Sequence, residues 1–453
     1  MSVRDLIIIG GGPGGYRAAE LAAEKGKSVT LFEEKHIGGV CLNVGCIPTK
    51  TLLNAAKIFK AASHGSRFGV QADAVRFDMG QAVAYKNEVV GKLTKGVGGE
   101  LKRVGVEVIE GRASLTSRTT VECNGASYEA KNIVLATGSS SAMPPIPGLA
   151  ESDVKTSTEM LDLTAAPKRV GIIGGGYIGM EFASFFSTTG SEVTVIEMFD
   201  EIIPFMDAKI AKQLRSHLKS VTFKLGCKVE RVDGRTVHFS DKGQAVSDTF
   251  DEVLISVGRT PNTKGLGLEA VGVEVVRGAV RVDDHMKTNI PGVYAIGDVT
   301  GRSLLAHSAY RMAAVVVDRM FGERTERFRS HAIPWVVFTL PEVAGCGLTE
   351  AGARDAGYDV VSAQLPASIN GRFLAEHPDE RGLCKVIADR KTHRILGVHL
   401  LGTGVSEIIH SAALMIEHEM RTSDVVDVIY PHPTVSELVY DTVRAVDAQL
   451  KQE

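Results

Sequence analysis

Cysteine is scarce in this chain, with only six cysteines in 453 residues. This number is too small for the framework of structural disulfides found in small secreted domains, so a disulfide in this chain is expected to be catalytic. No apolar run approaches the roughly 18 residues of a membrane-spanning helix, and the chain begins without the apolar region of a secretory signal. We therefore expect no membrane partner and a cytoplasmic location, with an organellar protein that has lost its transit peptide as the alternative.

An excess of charge of one sign is also absent. The chain has 51 Lys and Arg residues against 54 Asp and Glu residues, which gives a net charge of −3. This balance, without long runs of like charge, provides no basis for binding nucleic acid or an anionic membrane surface. Hydrophobic residues make up 44% of the sequence, enough to form the cores of about two to four domains.

Glycine, by contrast, is concentrated in a turn near the N-terminus. The turn follows the apolar run 6–9 and precedes the Ala-rich segment 16–24, a pattern that predicts strand, turn and helix. In a dinucleotide-binding turn, the first glycine allows a tight bend, the second lets the backbone approach a pyrophosphate, and the third permits close helix packing. A predicted strand at 28–32 ends in an acid about 20 positions later, where a carboxylate binds a ribose hydroxyl. These residues are Gly10, Gly12, Gly15 and Glu33.

The same pattern occurs a second time, after the apolar run 170–173, so the chain is expected to bind two nucleotides. A predicted strand at 192–196 ends in Glu197 at the equivalent spacing. A carboxylate there accepts a hydrogen bond from a free 2′-hydroxyl and repels a 2′-phosphate, and no Arg follows closely, which favours NAD. The glycines of this second turn are Gly174, Gly176 and Gly179.

Three short turns follow other apolar runs, at strand ends where ligands bind in open α/β sheets. A proline-rich segment at 144–147 indicates a boundary. Roughly the last 120 residues differ in character, because helical spacing at 406–419 and alternating patterns at 385–401 predict an α+β unit. The residues of the three turns are Ala136, Thr137 and Gly138; Gly258 and Arg259; and Gly297 and Asp298.

Cys41 and Cys46 lie close together in sequence, just after the first glycine-rich turn. Two reduced cysteines packed in a helix are the ordinary explanation of such a pair. Beside a dinucleotide fingerprint, however, the pair indicates a flavin that exchanges electrons with a disulfide. We assign no metal site, and we expect buried or inert thiols at the other four cysteines, which are Cys123, Cys227, Cys346 and Cys384.

In their order along the chain, these motifs resemble those of the disulfide-dependent flavoprotein reductases, the class I pyridine nucleotide-disulfide oxidoreductases. The segments 41–50, 288–298 and 432–437 are part of the resemblance, which covers nearly the whole chain. It implies an α/β fold with two Rossmann-like dinucleotide-binding domains, for FAD and NAD, and a C-terminal α+β dimerisation domain that forms a homodimer. The implied limits are 1–145 and 266–325 for the two segments of the FAD-binding domain, 146–265 for the NAD-binding domain and 326–453 for the dimerisation domain.

The resemblance also implies roles for the catalytic residues. Cys46 is similar to the cysteine that faces the flavin as the charge-transfer thiolate, and Cys41 to the thiol that attacks the substrate. His432 and Glu437 resemble the acid-base pair of the family, which reaches the disulfide of the other subunit. From the residues alone, a His-Pro sequence is usually a helix boundary, and Pro433 suits the first position of a helix.

Four further residues match family positions near the two cofactors. Lys50 and Glu181 resemble an ion pair beside the flavin. Asp298 is similar to a contact of the flavin ribityl chain, and Tyr177 to an aromatic residue that covers the nicotinamide site in some relatives. The alternatives from the residues alone are solvated helix charges, a turn-capping aspartate and a packing residue.

Within the family, the chain most closely resembles members that oxidise protein-bound dihydrolipoamide through the disulfide and FAD, with hydride transfer to NAD. Leu42, Ile47 and Thr49 differ from the residues usual in reductases of peptide disulfides. Val40 and the segment 430–431 depart from the common pattern, which leaves details of the site and of the interface open.

The implied partner is a lipoyl-bearing protein of a 2-oxo acid dehydrogenase or glycine cleavage complex. The sequence leaves two alternatives to this function. One is an NADH-dependent reductase of another disulfide or of a quinone, and the other is a subunit that serves mainly to bind the core of such a complex.

Overall fold

The computed structural model describes residues 3–324 and 326–452. The predicted boundary at 325 and the last residue, 453, therefore lie outside the described residues. The structure has three main sheets, each covered by its own helices. The exact domain limits stay predictions.

The first unit is built around β1, whose apolar side chains at 6–9 are buried because the strand pairs with β2 and β6 on its two sides. A parallel strand covered on both faces needs such a continuous apolar run. The parallel order is β3-β2-β1-β6, and β5 and β4 continue beside β6 as antiparallel strands. The elements are β1 (Arg4–Ile9), α1 (Pro13–Glu24), β2 (Val29–Glu33), α2 (Gly39–Val44), α3 (Cys46–Ser63), α4 (Met79–Arg103), β3 (Glu107–Glu110), β4 (Ala113–Leu115), β5 (Thr120–Cys123) and β6 (Ala126–Leu135).

The second unit repeats the strand-turn-helix arrangement, as the second glycine-rich turn predicts. Its parallel sheet has the order β11-β10-β9-β15-β8, and three antiparallel strands, β12-β13-β14, form a separate sheet. The ribbon of β7 and β16 joins this unit to the first. The elements are β7 (Ser139–Ser141), β8 (Val154–Lys155), α5 (Ser157–Met160), β9 (Arg169–Ile173), α6 (Tyr177–Thr188), β10 (Glu192–Ile196), α7 (Ala208–His217), β11 (Val221–Lys224), β12 (Lys228–Asp233), β13 (Thr236–Asp241), β14 (Gln244–Thr249), β15 (Glu252–Ile255) and β16 (Arg259–Pro261).

The chain then returns to the first sheet, where β19 pairs in parallel with β6. This return means that two separated segments share one sheet and one core, in which α9 packs against α1. The elements are α8 (Leu268–Val271), β17 (Val275–Val276), β18 (Ala279–Val280), β19 (Val293–Ala295) and α9 (Ala306–Phe321).

The C-terminal unit is an antiparallel sheet of order β20-β21-β24-β23-β22, with α12 against β21 and β24 and α14 against β22 and β23. This is the α+β unit that the sequence patterns predict. Within the described ranges, no helix is long and apolar enough to cross a membrane. The elements are β20 (Trp335–Val337), β21 (Val343–Gly347), α10 (Glu350–Asp355), β22 (Val360–Pro366), α11 (Gly371–Glu376), β23 (Leu383–Asp389), β24 (Ile395–Leu401), α12 (Val405–Glu417), α13 (Thr422–Val426) and α14 (Glu437–Leu450).

One helix start differs from its prediction. Helix α14 begins at Glu437, so the expectation that Pro433 occupies the first helical position is wrong. The preceding residues form a turn, because Thr434 donates its hydroxyl to the Pro431 carbonyl at 2.8 Å and its backbone N–H to the Glu437 carboxylate at 2.9 Å. These hydrogen bonds replace the first helical turn that a proline at 433 would otherwise begin.

Replacement of Gly179 by Ala should destabilise the second unit, because the added Cβ would lie 2.0 Å from the carbonyl oxygen of Gly174. We expect a loss of about 1–3 kcal/mol in the free energy of unfolding, as for other overpacked sites. Calorimetry of thermal unfolding should show a lower midpoint. Gly176→Ala is the matched control, since nothing lies within 4 Å of its Cβ position. Equal midpoints for the two variants would contradict the packing role of Gly179.

Candidate active site

The two cysteines of the predicted redox pair lie next to each other at a helix junction. Cys41 is on α2, and Cys46 is the first residue of α3. Both are free thiols of intermediate exposure, and the two side chains are hydrogen-bonded to each other. The first residues of a helix present unpaired backbone N–H groups, which stabilise a negative charge. The position of Cys46 therefore suits a thiolate.

The electrostatics of the pair place the remaining proton on Cys41. The hydrogen bond with Cys41 lowers the pKa of Cys46 to about 7, against the effect of burial and with help from the Lys50 ammonium. The same hydrogen bond, together with burial, raises the pKa of Cys41. Near neutral pH the reduced pair therefore consists of a Cys46 thiolate and a Cys41 thiol, which agrees with the roles that the resemblance implies.

Lys50 lies one turn after Cys46 on α3, and its ammonium is held in place by a carboxylate from another unit. The Lys50 Nζ is 2.9 and 2.8 Å from the two carboxylate oxygens of Glu181 on α6. The Glu181 side chain is only 7% exposed, and it also accepts the backbone N–H of Phe338 at 3.0 Å. The Phe338 ring lies 4.5 Å from the Lys50 Nζ. The predicted ion pair is thus present and fixes a positive charge beside the dithiol.

The first glycine-rich turn is tightly packed at two of its glycines and open at a third. A Cβ on Gly10 would lie 2.3 Å from the Ala136 carbonyl oxygen, and one on Gly15 would lie 1.8 Å from the Gly10 carbonyl oxygen. At Gly12 the nearest atom to such a Cβ is 3.9 Å away. Packing therefore explains the first and third glycines, whereas the second borders open space at the N-terminus of α1, where an anion binds favourably. Glu33 accepts the Gly11 N–H at 2.6 Å, which fixes the carboxylate beside the turn.

The second turn has the same construction. Glu197 is buried and accepts the N–H of Gly175 at 2.6 Å and that of Phe199 at 2.8 Å. No atom lies within 4 Å of a Cβ on Gly176, so a pyrophosphate has room here as well. The side chains of Met198 and Phe199 are exposed next to Glu197 although they are apolar, and the sequence analysis missed them. An apolar surface beside such a carboxylate suits the base of a dinucleotide.

The three short turns meet where the β7–β16 ribbon crosses between the units. Thr137 donates its hydroxyl to the Asn262 carbonyl at 2.7 Å, and the Asn262 N–H bonds to the Gly138 carbonyl at 3.0 Å. Gly138, Gly258 and Gly297 all have positive φ angles, which glycine adopts without strain. The register of the ribbon places Gly138 opposite Asn262 at one end and Gly258 opposite Ala142 at the other.

Ser139 is a residue of this ribbon that the sequence analysis missed, and it links two predicted residues. Its hydroxyl donates to the Asp298 carboxylate at 2.5 Å and accepts from the Arg259 Nε at 2.7 Å. Burial raises the pKa of Asp298 and lowers that of Arg259. Both groups thus lie in a site that excludes much of the water, as a site for a large cofactor does. No sequence motif marks Ser139, which is one of three serines in the short strand β7.

Two more aromatic residues lie near the site. Tyr177, the first residue of α6, stacks on Phe205 with ring centroids 4.4 Å apart. Tyr16 on α1 shares a hydroxyl hydrogen bond with Tyr310 on α9. Burial and that hydrogen bond raise the pKa of Tyr16, and the nearby thiols Cys41 and Cys46 contribute in the same direction. No sequence motif connects Tyr16 with Tyr310, because α1 and α9 are far apart along the chain.

His432 and Glu437 form the predicted pair, but at the surface of the C-terminal unit. The His432 Nδ1 is 2.9 Å from the Glu437 carboxylate, and the His432 side chain is 81% exposed. Hydrogen bonds from the Thr434 N–H and from His432 lower the pKa of Glu437. In the described part of the chain, no hydrogen bond or ion pair connects this pair with Cys41 or Cys46. Within the described subunit, the acid-base pair is therefore not bonded to the dithiol.

The remaining cysteines are buried, as expected. Burial raises the pKa of Cys346 and of Cys384 to about 12 and also raises that of Cys123 and Cys227. Thiols of this kind are poor nucleophiles. Among the described residues, no group of three or more His, Cys, Asp or Glu side chains is arranged to hold a metal ion.

Comparison with known proteins gives a consistent result. Residues 4–313 match the family model for pyridine nucleotide-disulphide oxidoreductases, and residues 333–443 match the dimerisation domain of the same family. The dihydrolipoyl dehydrogenase of Thermus scotoductus is 40% identical over 460 residues, covering 99% of this chain and 98% of the relative. The mitochondrial dihydrolipoyl dehydrogenase of Pisum sativum is 38% identical, covering 97% and 91%.

A solved structure shows the same architecture. The HOCl-induced flavoprotein disulfide reductase RclA from Escherichia coli superposes with a TM-score of 0.87 at 32% identity, over 98% of this chain and 100% of that chain. The predicted fold class is confirmed, and the dimerisation domain supports a homodimer. FAD and NAD, the cofactors of the family, fit the two glycine-rich turns, each with open space at its second glycine. From these matches and from the dithiol between the two nucleotide sites, the chain belongs to the pyridine nucleotide-disulphide oxidoreductase family and is an FAD- and NAD-dependent oxidoreductase.

Proposed function

We propose that the protein is an NAD-dependent dihydrolipoyl dehydrogenase, which oxidises dihydrolipoamide carried by another protein. The observation that carries the proposal is the polarised dithiol, with a thiol at Cys41 and a thiolate at Cys46 beside the Lys50 ammonium. Similarity to dihydrolipoyl dehydrogenases over nearly the whole chain supports this substrate.

In the proposed reaction, Cys41 and Cys46 start as a disulfide. A dihydrolipoyl thiol gives its proton to the imidazole of His432 of the partner subunit, and the resulting thiolate attacks the sulfur of Cys41. The bond between the cysteines breaks, and Cys46 leaves as a thiolate, which its low pKa favours. The second dihydrolipoyl thiol then displaces Cys41 from the mixed disulfide and transfers its proton to Cys41. The substrate is released as a cyclic disulfide.

The residues around this reaction have separate tasks. Glu437 accepts from the Nδ1 of His432, which orients the imidazole and stabilises its cationic form, while the exposed Nε2 exchanges the proton. Lys50, held by Glu181, stabilises negative charge at Cys46. FAD and NAD supply, when bound, the two-electron chemistry that carries electrons away from the dithiol. We assign FAD to the first turn with Glu33 and NAD to the second turn with Glu197.

The proposed setting follows from the same chemistry. A homodimer completes each site with His432 of the partner subunit. The lipoyl group belongs to a protein of a 2-oxo acid dehydrogenase or glycine cleavage complex. A cytoplasmic location suits the four buried cysteines, none of which forms a disulfide in the described residues.

A second candidate is an NADH-dependent reductase of another disulfide, which the similarity to the disulfide reductase RclA supports. Such a reductase would pass electrons from NADH through the same dithiol to its substrate. The geometry of the site therefore fits both the dehydrogenase and the reductase. The deciding experiment is an anaerobic titration of the yellow holoenzyme with dihydrolipoamide, followed by addition of NAD. Dihydrolipoyl dehydrogenase activity requires a long-wavelength absorbance band that grows with two electrons and disappears with NAD. If only NADH reduces the protein, the lipoamide assignment is wrong and the reductase remains.

Lys50→Met should raise the pKa of Cys46, because the ammonium favours the thiolate. In the two-electron-reduced wild type, the long-wavelength band should be present above a pH of about 7 and lost below it, since Cys46 is protonated there. In the variant the loss should occur at higher pH. A spectroscopic pH titration measures both. The control is Lys57→Met, because Lys57 is exposed and lies two turns farther along α3. The pH dependence of the band should be unchanged in this variant. An unchanged profile for Lys50→Met would mean that another group holds the thiolate.

His432→Gln should slow reduction by dihydrolipoamide by roughly 10²- to 10⁴-fold, the usual scale for general acid-base catalysis. Reduction of the flavin by NADH does not require this imidazole and should keep its rate, which stopped-flow absorbance can follow in the same preparation. His410→Gln, an exposed histidine on α12, is the matched control. Normal turnover with dihydrolipoamide in the His432 variant would remove His432 from the mechanism.

A further inference from the structure

A buried lysine of the C-terminal sheet holds a carboxylate of the second nucleotide-binding unit. Lys385 lies on β23, and its side chain is only 4% exposed. Its Nζ is 2.7 Å from the carboxylate of Asp207, which is also buried, and 2.8 Å from that of Glu350. Charges this far from water require partners, because an unpaired buried charge is strongly destabilising. The ion pair of Lys385 and Asp207 is therefore a firm link between two units that no sequence motif connects.

Helix α7, which follows Asp207, is attached to the C-terminal unit a second time. Asp207 caps the helix, since its carboxylate accepts the N–H of Lys209 at 3.1 Å. Farther along α7, the Gln213 Nε2 donates to the Arg381 carbonyl at 2.6 Å, and the His217 Nε2 lies 3.1 Å from the same oxygen. The C-terminal unit therefore holds α7 at both of its ends.

The segment 202–206, directly before Asp207, packs on the second glycine-rich turn. The Ile203 N–H donates to the Gly175 carbonyl at 2.9 Å. Ile203 has a φ of 47°, a left-handed conformation that is strained for a β-branched residue. Such strain persists only where the surroundings hold the backbone in place. The hydrogen bond to Gly175 holds the segment at the turn, and the ion pair with Lys385 holds it at the start of α7.

We propose that the ion pair of Lys385 and Asp207 sets the affinity of the second glycine-rich turn for NAD, with Lys385 as a positioning residue that acts through Asp207. The inference rests on the proposed assignment of NAD to this turn, and it adds a residue of the dimerisation domain that controls binding there. Without the ion pair, the strained segment moves away from Gly175 in a fraction of the molecules. The apparent affinity falls with the fraction that keeps the binding conformation.

Asp207→Ser tests the ion pair with little disturbance, because a serine still caps α7 and Lys385 keeps Glu350 as its partner. Isothermal titration calorimetry of the oxidised holoenzyme should show NAD bound roughly 2- to 30-fold more weakly, the usual scale for residues that act on a site from a distance. ADP-ribose, which lacks the nicotinamide, should weaken by the same factor. Glu350→Gln is the matched control, since it leaves the pair with Asp207 intact and should bind both ligands as the wild type does.

Lys385→Met removes the same ion pair from the C-terminal side and should also weaken NAD binding. The double variant Asp207→Ser/Lys385→Met should bind NAD no more weakly than the weaker single variant, because both changes remove one interaction. Additive losses would mean that the two residues act separately and would overturn the proposal. If Lys385→Met does not fold, Asp207→Ser and its control still decide, because they leave Lys385 with a carboxylate partner.

Hydrogen exchange of the Ile203 amide provides a local readout, because this N–H is bonded to the Gly175 carbonyl. In Asp207→Ser without NAD, exchange of the peptide that contains Ile203 should be faster than in the wild type, and saturating NAD should slow it again. Flavin reduction by dihydrolipoamide should keep its wild-type rate in the absence of NAD. Equal exchange in variant and wild type, or slower flavin reduction with unchanged NAD affinity, would show a general structural role instead.

Gly176→Val separates failure of this inference from failure of the NAD assignment. Nothing lies within 4 Å of its Cβ position, so the side chain fits the free protein but fills the space assigned to the pyrophosphate. If this variant binds NAD as the wild type does, NAD does not bind at the second turn, and the inference falls with the assignment. If Gly176→Val loses NAD while Asp207→Ser keeps the wild-type affinity, the assignment stands and the ion pair does not control it.

Discussion

The ion pair between Lys50 and Glu181 is the contact on which the arrangement of the site depends, because it joins all three units at the dithiol. Lys50 belongs to the helix of Cys46, Glu181 to the helix of the second nucleotide turn, and Phe338 of the C-terminal unit both hydrogen-bonds Glu181 and covers Lys50. A largely buried carboxylate is stable only when such partners satisfy it. The pair therefore links the units that carry the two glycine-rich turns and holds a cation beside the dithiol.

This cation acts on a pair of thiols that would otherwise be equivalent. The hydrogen bond between the two thiols lowers the pKa of Cys46 and raises that of Cys41, and the Lys50 charge lowers the pKa of both. In the proposed reaction this asymmetry makes Cys46 the leaving sulfur and Cys41 the one attacked, since the sulfur of lower pKa leaves faster. For the four buried cysteines, burial is the largest cause of the raised pKa, which keeps them thiols.

The acid-base pair shows why the dimerisation domain matters to the chemistry as well as to assembly. His432 is exposed and oriented by Glu437, yet it stands apart from the dithiol of its own subunit. The proposed reaction takes its proton carrier, His432, from the partner subunit, which would make activity depend on the dimer. Phe205 stacks on Tyr177 and contacts Trp335, which gives the same C-terminal unit a second link to the unit of the second glycine-rich turn.

The sequence by itself determined the features that depend on local patterns. The two glycine-rich turns, the acids Glu33 and Glu197, the cysteine pair and the order of motifs all follow from short spacings, because a strand, a turn and a helix impose their requirements within about 30 residues. Only the tertiary structure decided the contacts between distant segments, such as Ser139 with Arg259 and Asp298, Tyr16 with Tyr310, and Phe205 with Trp335. It also corrected the start of α14, where hydrogen bonds of Thr434 override the preference of proline for a first helical turn. No local pattern encodes such contacts, since they depend on how the sheets pack against one another.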